Sequence, residues 1–164
     1  MALLVLDASF ITKWFKDEIY TEIALKVKDE FVNGVHEIVA PDLILYELAN
    51  AMRYDKAFDS DLTKQSISYL IELGIDVIIP TEDLISVSIE FAYKCNISIY
   101  DAVYVALASK LGATLVTADE KLYEKIKGLN FVKFITNMKA NGWVNGGQRS
   151  CDERMFPVKL AHET

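Results

Sequence analysis

The sequence has few of the residues that build disulfide frameworks or zinc sites. Its two cysteines, Cys95 and Cys151, are far apart and match no metal-binding or redox spacing. The two histidines, His36 and His162, lie outside the motifs described below, so we do not expect them to be catalytic. We expect both cysteines to be ordinary packing or surface residues, which suits a protein of the reducing cytoplasm.

Long hydrophobic runs are also missing. No stretch has the length needed to span a bilayer, so we expect no membrane association. Residues 1–6 are apolar, but they meet Asp7 at once and carry no basic residue, which favours a buried strand over a signal peptide. With 164 residues and 52% hydrophobic content, the chain has enough apolar material for one compact domain.

Positive charge is scarce, since 17 Lys and Arg face 24 Asp and Glu and the net charge is −7. This balance argues against a protein that holds long nucleic acid by bulk charge, because such binding depends on Lys and Arg at phosphates. It does not exclude a nuclease, because bound cations would offset a local cluster of acids.

Apolar strand patterns alternate with helical periodicity along the chain. This alternation predicts a three-layer α/β fold with a central parallel sheet. Strands are predicted at residues 2–6, 38–40, 75–79, 114–117 and 131–135. Helices are predicted at residues 9–15, 20–32, 62–73 and 119–127, from Pro41 to about Tyr54, from a Thr81 cap to about Lys94, and from a Ser98 cap to Gly112.

Four acids stand where short apolar segments end or new helices begin: Asp7, Glu47, Asp101 and Asp119. Ligands in such sheets bind beyond the carboxyl ends of the strands, which is where Asp7 and Asp119 lie. If the fold gathers the four carboxylates, their mutual repulsion requires protons or a cation, and oxygen-only ligands favour Mg²⁺ or Mn²⁺.

Each acid also has a purely structural explanation. Asp101 completes a capping box with Ser98, and Asp119 is placed to cap the following helix, where Thr117 and Glu120 form a second box. Glu47 fits a solvated helix position. Asp7 is the hardest to explain in this way, because an acid directly after a buried strand needs a partner.

The four segments together resemble the PIN domain family, specifically the VapC-type toxins of toxin–antitoxin modules. The matching segments are residues 6–9 (LDAS), 46–53 (YELANAMR), 100–108 (YDAVYVALA) and 115–122 (LVTADEKL). The resemblance runs in order through residue 136 and predicts a PIN-like nuclease domain over residues 1–136. Residues 137–164 show little periodicity, and we interpret them as a C-terminal tail of unknown role.

The resemblance implies an Mg²⁺- or Mn²⁺-dependent endoribonuclease with Asp7, Glu47, Asp101 and Asp119 as its catalytic and metal-binding residues. Because Mg²⁺ keeps several waters, we expect Asp7 and Asp101 to bind directly and the other two through water or at a second ion. Ser9 near Asp7 and Thr117 near Asp119 are candidates to orient a carboxylate or a metal-bound water, or simply to cap helices.

Asn50 lies one turn after Glu47, where it is either a supporting site residue or ordinary helix surface. Lys13, Lys16 and Arg53 follow the site segments and are candidates for phosphate contacts. The implied partners are an RNA substrate, a cognate antitoxin and a second copy of the chain. The apolar helices at residues 20–32 and 62–73 are either contact surfaces for such a partner or simply the cover of the sheet.

Two other functions stay open from the sequence. A haloacid-dehalogenase-like phosphatase also places an Asp after its first strand, but it requires a second Asp where this chain has Ser9. A PIN-like module that binds RNA or protein without cutting would show partner binding and no metal-dependent cleavage.

Overall fold

The structure is a computed structural model that describes residues 1–139. The strands in this part of the chain are β1 (Ala2–Leu6), β2 (His36–Pro41), β3 (Asp76–Ile78), β4 (Thr114–Thr117) and β5 (Val132–Phe134). The α-helices are α1 (Ala8–Ile11), α2 (Thr21–Val32), α3 (Leu43–Arg53), α4 (Ser60–Glu72), α5 (Glu82–Cys95), α6 (Ile99–Leu111) and α7 (Glu120–Ile126). Short 3-10 helices cover Thr12–Trp14 and Ile135–Lys139.

The strands form one parallel sheet in the order β3-β2-β1-β4-β5. Helices cover both faces, which confirms the predicted three-layer α/β/α fold with a central parallel sheet. β1 lies in the centre, and Val5 and Leu6 are fully buried. The chain leaves β1 toward β2 on one side and returns on the other side as β4. The carboxyl ends of β1 and β4 therefore lie side by side at the point where ligands bind in such sheets.

Most predicted helix boundaries are confirmed because they depend on local capping. The Thr81 and Ser98 hydroxyls accept hydrogen bonds from the backbone N–H groups of Leu84 and Asp101 at 3.1 Å each. Gly112 ends α6 with a φ of +62°, a conformation that glycine adopts without strain.

The prediction that Pro41 begins a helix is wrong. Pro41 is instead the last residue of β2. It pairs in register with Ile78 of β3, and the next residue, Asp42, donates its N–H to the Ile78 carbonyl at 2.9 Å. Pairing with β3 thus keeps Pro41 extended, and α3 begins at Leu43. The predicted helix over residues 9–15 is also divided, into α1 and the 3-10 helix Thr12–Trp14.

The predicted tail lies almost wholly outside the described residues. Residues 137–139 belong to the 3-10 helix Ile135–Lys139, and the domain boundary at residue 136 stays a prediction. Cys95 packs partly buried against the core, while Cys151 is outside the described part. Within residues 1–139, no helix combines the length and apolar character needed to cross a membrane.

Candidate active site

The structure brings the four predicted acids together. Asp7 follows β1 and Asp119 follows β4, while α3 supplies Glu47 and the first turn of α6 supplies Asp101. The charge of Asp119 acts on both Asp7 and Asp101, and the charges of Asp7 and Asp101 act on Glu47. The four carboxylates thus form a closed set of repelling neighbours, called the acidic ring below.

Asp7 is the most buried member of the ring, at 5% exposure. Its Oδ1 accepts hydrogen bonds from the Ser9 hydroxyl at 2.6 Å and from the Phe10 N–H at 3.0 Å, and its Oδ2 accepts one from the Thr117 hydroxyl. Burial raises the pKa of Asp7 to about 6 against these hydrogen bonds, and the Asp119 charge raises it further. The carboxylate is therefore held in one orientation but is costly to ionise.

Ser9 and Thr117 both converge on Asp7. The prediction that Ser9 orients Asp7 matches this geometry, whereas Thr117, placed near Asp119 in the sequence, donates to Asp7 instead. The Ser9 hydroxyl also accepts the Ala118 N–H at 2.9 Å, and the Thr117 hydroxyl accepts the Asp119 N–H at 3.1 Å. The two hydroxyls thus bind the end of β1 to the end of β4.

Asp119 caps α7 with its own side chain, since Oδ1 accepts the Leu122 N–H at 3.0 Å. The alternative box of Thr117 and Glu120 is therefore not the cap that forms. One oxygen of Asp119 serves the helix, and its charge still acts on Asp7 and Asp101.

Glu47 has a partner that sequence reasoning missed. The hydroxyl of Tyr104 in α6 donates to Glu47 Oε1 at 3.0 Å. Burial raises the pKa of Glu47 to about 7, the Tyr104 hydrogen bond opposes this rise, and the charges of Asp7 and Asp101 add to it. Burial and the neighbouring acids raise the pKa of Tyr104 as well, so its hydroxyl stays protonated. A signal existed in the sequence, because Tyr104 is the one polar residue in the apolar run 102–108.

Asp101 faces a cleft of about 320 Å³ that Asp119, Lys121 and Lys125 also line. Burial raises the pKa of Asp101, the Ser98 hydrogen bond opposes this, the Asp119 charge raises it, and the Lys125 charge lowers it. Lys125 Nζ donates to the Asn96 carbonyl at 2.9 Å, which holds it at this cleft. One side of the acidic ring is therefore open to solvent and bordered by cations.

Other predicted residues lie apart from the acids or have different partners. Asn50 is exposed on α3, and within residues 1–139 the structure gives it no hydrogen bond to the ring. Lys13 forms a salt bridge with Glu18 at 3.0 Å, and Lys16 forms one with Asp55 at 2.7 Å. Arg53 lies over the aromatic ring of Tyr54. These cations are engaged within the fold, so their role as phosphate contacts stays an untested prediction.

The donor set fits a hydrated divalent cation. It consists of carboxylate oxygens, and burial and mutual repulsion raise the pKa of Asp7, Glu47 and Asp101. In residues 1–139, no three Asp, Glu, His or Cys side chains are arranged to hold one ion together. Mg²⁺ retains several waters and binds through one or two carboxylates, so it does not need a cage of three protein ligands.

Two comparisons relate the sequence to known proteins. The PIN domain family model matches residues 4–128. Ribonuclease VapC3 from Pyrobaculum aerophilum is 30% identical over 135 residues, which cover 77% of this chain and 96% of that protein.

Solved structures show the same fold at low sequence identity. A toxin–antitoxin complex from Klebsiella pneumoniae superposes with a TM-score of 0.60 at 14% identity, covering 82% of this chain and 98% of that one. VapBC2 from Rickettsia felis, bound to a DNA fragment from the VapBC2 promoter, superposes with a TM-score of 0.61 at 15% identity. The match covers 80% of this chain and 98% of that one.

Proposed function

The chain belongs to the PIN domain family, and from this premise we propose that it is a metal-dependent endoribonuclease, the toxin of a VapBC-type toxin–antitoxin pair. The observation that carries the proposal is the acidic ring at the carboxyl ends of β1 and β4. Similarity to Ribonuclease VapC3 supports RNA as the substrate, and the similar toxin–antitoxin complexes support an antitoxin partner. We place the protein in the cytoplasm with that substrate.

Asp7 and Asp101 are proposed to bind Mg²⁺ or Mn²⁺ directly, and Glu47 and Asp119 to bind through water or at a second ion. When bound there, such a cation would position and acidify water and would stabilise negative charge on the phosphate. Ser9 and Thr117 hold the Asp7 carboxylate in a fixed orientation, so its oxygens do not have to be ordered when the ion arrives. Because burial raises the pKa of Asp7 to about 6 and that of Glu47 to about 7, ion binding below those pH values would displace protons from these two acids.

The RNA strand is proposed to reach the acids through the cleft lined by Asp101 and Asp119. Lys121 and Lys125 border this cleft and supply positive charge beside the acids. Their position answers the objection from the net charge of −7, because phosphates near the ring meet cations locally.

Neither helix named as a contact surface is fully exposed. α2 buries Ile23, Ala24 and Val27, and α4 buries Leu70, although Val32 and Ile71 are more than half exposed. An antitoxin contact and a homodimer through these helices therefore stay proposals.

The test is cleavage of total RNA by the purified, partner-free protein in Mn²⁺, Mg²⁺ or EDTA. We expect discrete products with either metal, none in EDTA, and a loss of at least about 100-fold for Asp101→Asn, since this change removes a proposed ligand. The matched control is Asp61→Asn, which alters an exposed first-turn acid of α4 outside the ring. A folded protein that binds RNA but never cuts it would instead indicate the non-cutting module.

A further inference from the structure

We propose that Tyr104 is a positioning residue whose hydroxyl orients the Glu47 carboxylate for a divalent cation. Tyr104 does not touch substrate in this assignment and acts only through Glu47. The inference rests on the proposed function in one respect, because it takes the acidic ring as the cation site.

The burial of Tyr104 is the first reason. Every residue of α6 from Ala102 to Ala108 is buried, and Tyr104 is 1% exposed. A phenylalanine would fill the same space without introducing a polar atom, whereas a buried tyrosine hydroxyl needs a hydrogen-bond partner. The structure gives it one, Glu47 Oε1, on a different helix and 57 positions earlier in the chain.

The position of Tyr104 along α6 is the second reason. It lies three residues after Asp101, and residues at this spacing share one face of a helix. The hydrogen bond therefore ties Glu47 of α3 to the helix that carries Asp101. The core packs around the phenol of Tyr104 and keeps it in place. The phenol therefore helps to fix the distance between the carboxylates of Glu47 and Asp101.

The chemistry of the hydroxyl is the third reason. Glu47 is only partly buried and has three rotatable side-chain bonds, so ordering it at the moment of ion binding would cost conformational entropy. A lysine would also hold the side chain, but it would neutralise the charge that attracts the cation. A neutral tyrosine restrains Oε1, and within residues 1–139 the structure gives Oε2 no hydrogen bond, so this oxygen is left for the ion or its water.

The experiment measures Mn²⁺ binding to the purified protein by titration calorimetry, without RNA. We expect Tyr104→Phe to weaken Mn²⁺ affinity about 10-fold, the lower end of the range for partners that orient metal ligands. The matched control is Tyr69→Phe, which removes a hydroxyl that accepts from Lys28 Nζ at 3.3 Å outside the ring. The control should bind Mn²⁺ as the unaltered protein does, and thermal unfolding checks that each variant is folded.

A double-mutant cycle with Glu47→Ala separates positioning from general damage to the fold. If Tyr104 acts through Glu47, Tyr104→Phe has no further effect on Mn²⁺ affinity once Glu47 is removed. Unchanged affinity in Tyr104→Phe, or the same 10-fold loss in both backgrounds, would overturn the assignment. So would Glu47→Ala with unaltered Mn²⁺ affinity, a result that holds even if Tyr104→Phe fails to fold.

This readout is independent of catalysis. Intact Mn²⁺ binding with the expected cycle but no RNA cleavage would reject the ribonuclease proposal and support the role of Tyr104. If RNA cleavage requires Mn²⁺ but the double-mutant cycle shows no coupling between Tyr104 and Glu47, the ribonuclease proposal is supported and the role of Tyr104 is rejected.

Discussion

At the scale of single residues, two hydroxyl groups hold the most buried acid of the ring, Asp7. Thr117 is fully buried, donates to Asp7, and receives the N–H of Asp119. A buried carboxylate is stabilised chiefly by such donors, and the Ser9 and Thr117 bonds both lower the pKa that burial raises. Loss of one donor should therefore affect ionisation of Asp7 and its orientation together.

We predict that Thr117→Val lowers RNA cleavage about 10- to 100-fold and costs about 1–3 kcal/mol of unfolding free energy. Cleavage rates and denaturant unfolding measure the two effects. Thr12→Val is the matched control, because the Thr12 hydroxyl is also nearly buried but donates to the Ala8 carbonyl at 2.6 Å. Equal activity loss in both variants would show that Thr117 has no specific role at Asp7.

At the scale of secondary-structure elements, Asp119 combines two functions that substitutions can separate. As N-cap of α7 it accepts the Leu122 N–H, and as a ring member its charge acts on Asp7 and Asp101. Asparagine caps helices about as well as aspartate but carries no charge. Alanine has no charge and cannot cap the helix.

We predict that Asp119→Asn keeps the unfolding free energy within about 0.5 kcal/mol and loses RNA cleavage, while Asp119→Ala loses cleavage and also about 1 kcal/mol. Asp59→Ala is the control for capping alone, because Asp59 caps α4 through the Leu62 N–H at 2.8 Å. That control should lose similar stability and keep full activity. Full cleavage by Asp119→Asn would remove Asp119 from the proposed site.

At the scale of the whole molecule, the acidic ring couples folding to pH, and we propose that it also couples both to cation binding. Burial raises the pKa of Asp7 to about 6 and that of Glu47 to about 7, from 3.8 and 4.5. Between about pH 4 and pH 7, these two acids therefore hold more protons in the folded state than in the unfolded state. The contribution of Asp7 and Glu47 to the free energy of unfolding is therefore complete at low pH, and it is lost as the pH rises toward 7.

We predict that, in EDTA, the unfolding temperature falls between about pH 4 and pH 7 more steeply in the unaltered protein than in Asp7→Asn/Glu47→Gln. Mn²⁺ should raise the unfolding temperature more at pH 8 than at pH 5, because it binds the ionised carboxylates. Differential scanning fluorimetry across this range measures both effects. Identical pH profiles for the two proteins would contradict the shifted pKa values.

Much of the local structure follows from the sequence, because strand periodicity, caps and terminal glycines act over a few residues. The strands at 2–6 and 114–117, the caps Thr81 and Ser98, and the end of α6 at Gly112 are confirmed for this reason. Pro41 was misplaced because pairing with β3, which is distant in the chain, overrides the local preference of proline for a helix start.

From the sequence alone, we predicted the four acids and the order of the segments that carry them, and their role stays a prediction. The groups that hold those acids are visible only once the chain is folded. Thr117 serves Asp7 across 110 positions, and Tyr104 serves Glu47 across 57. Such pairs depend on strand order and on helix packing, which place distant residues side by side. Local rules extend only a few residues along the chain, so the partners of the acids meet them only when the strands pair and the helices pack on the sheet.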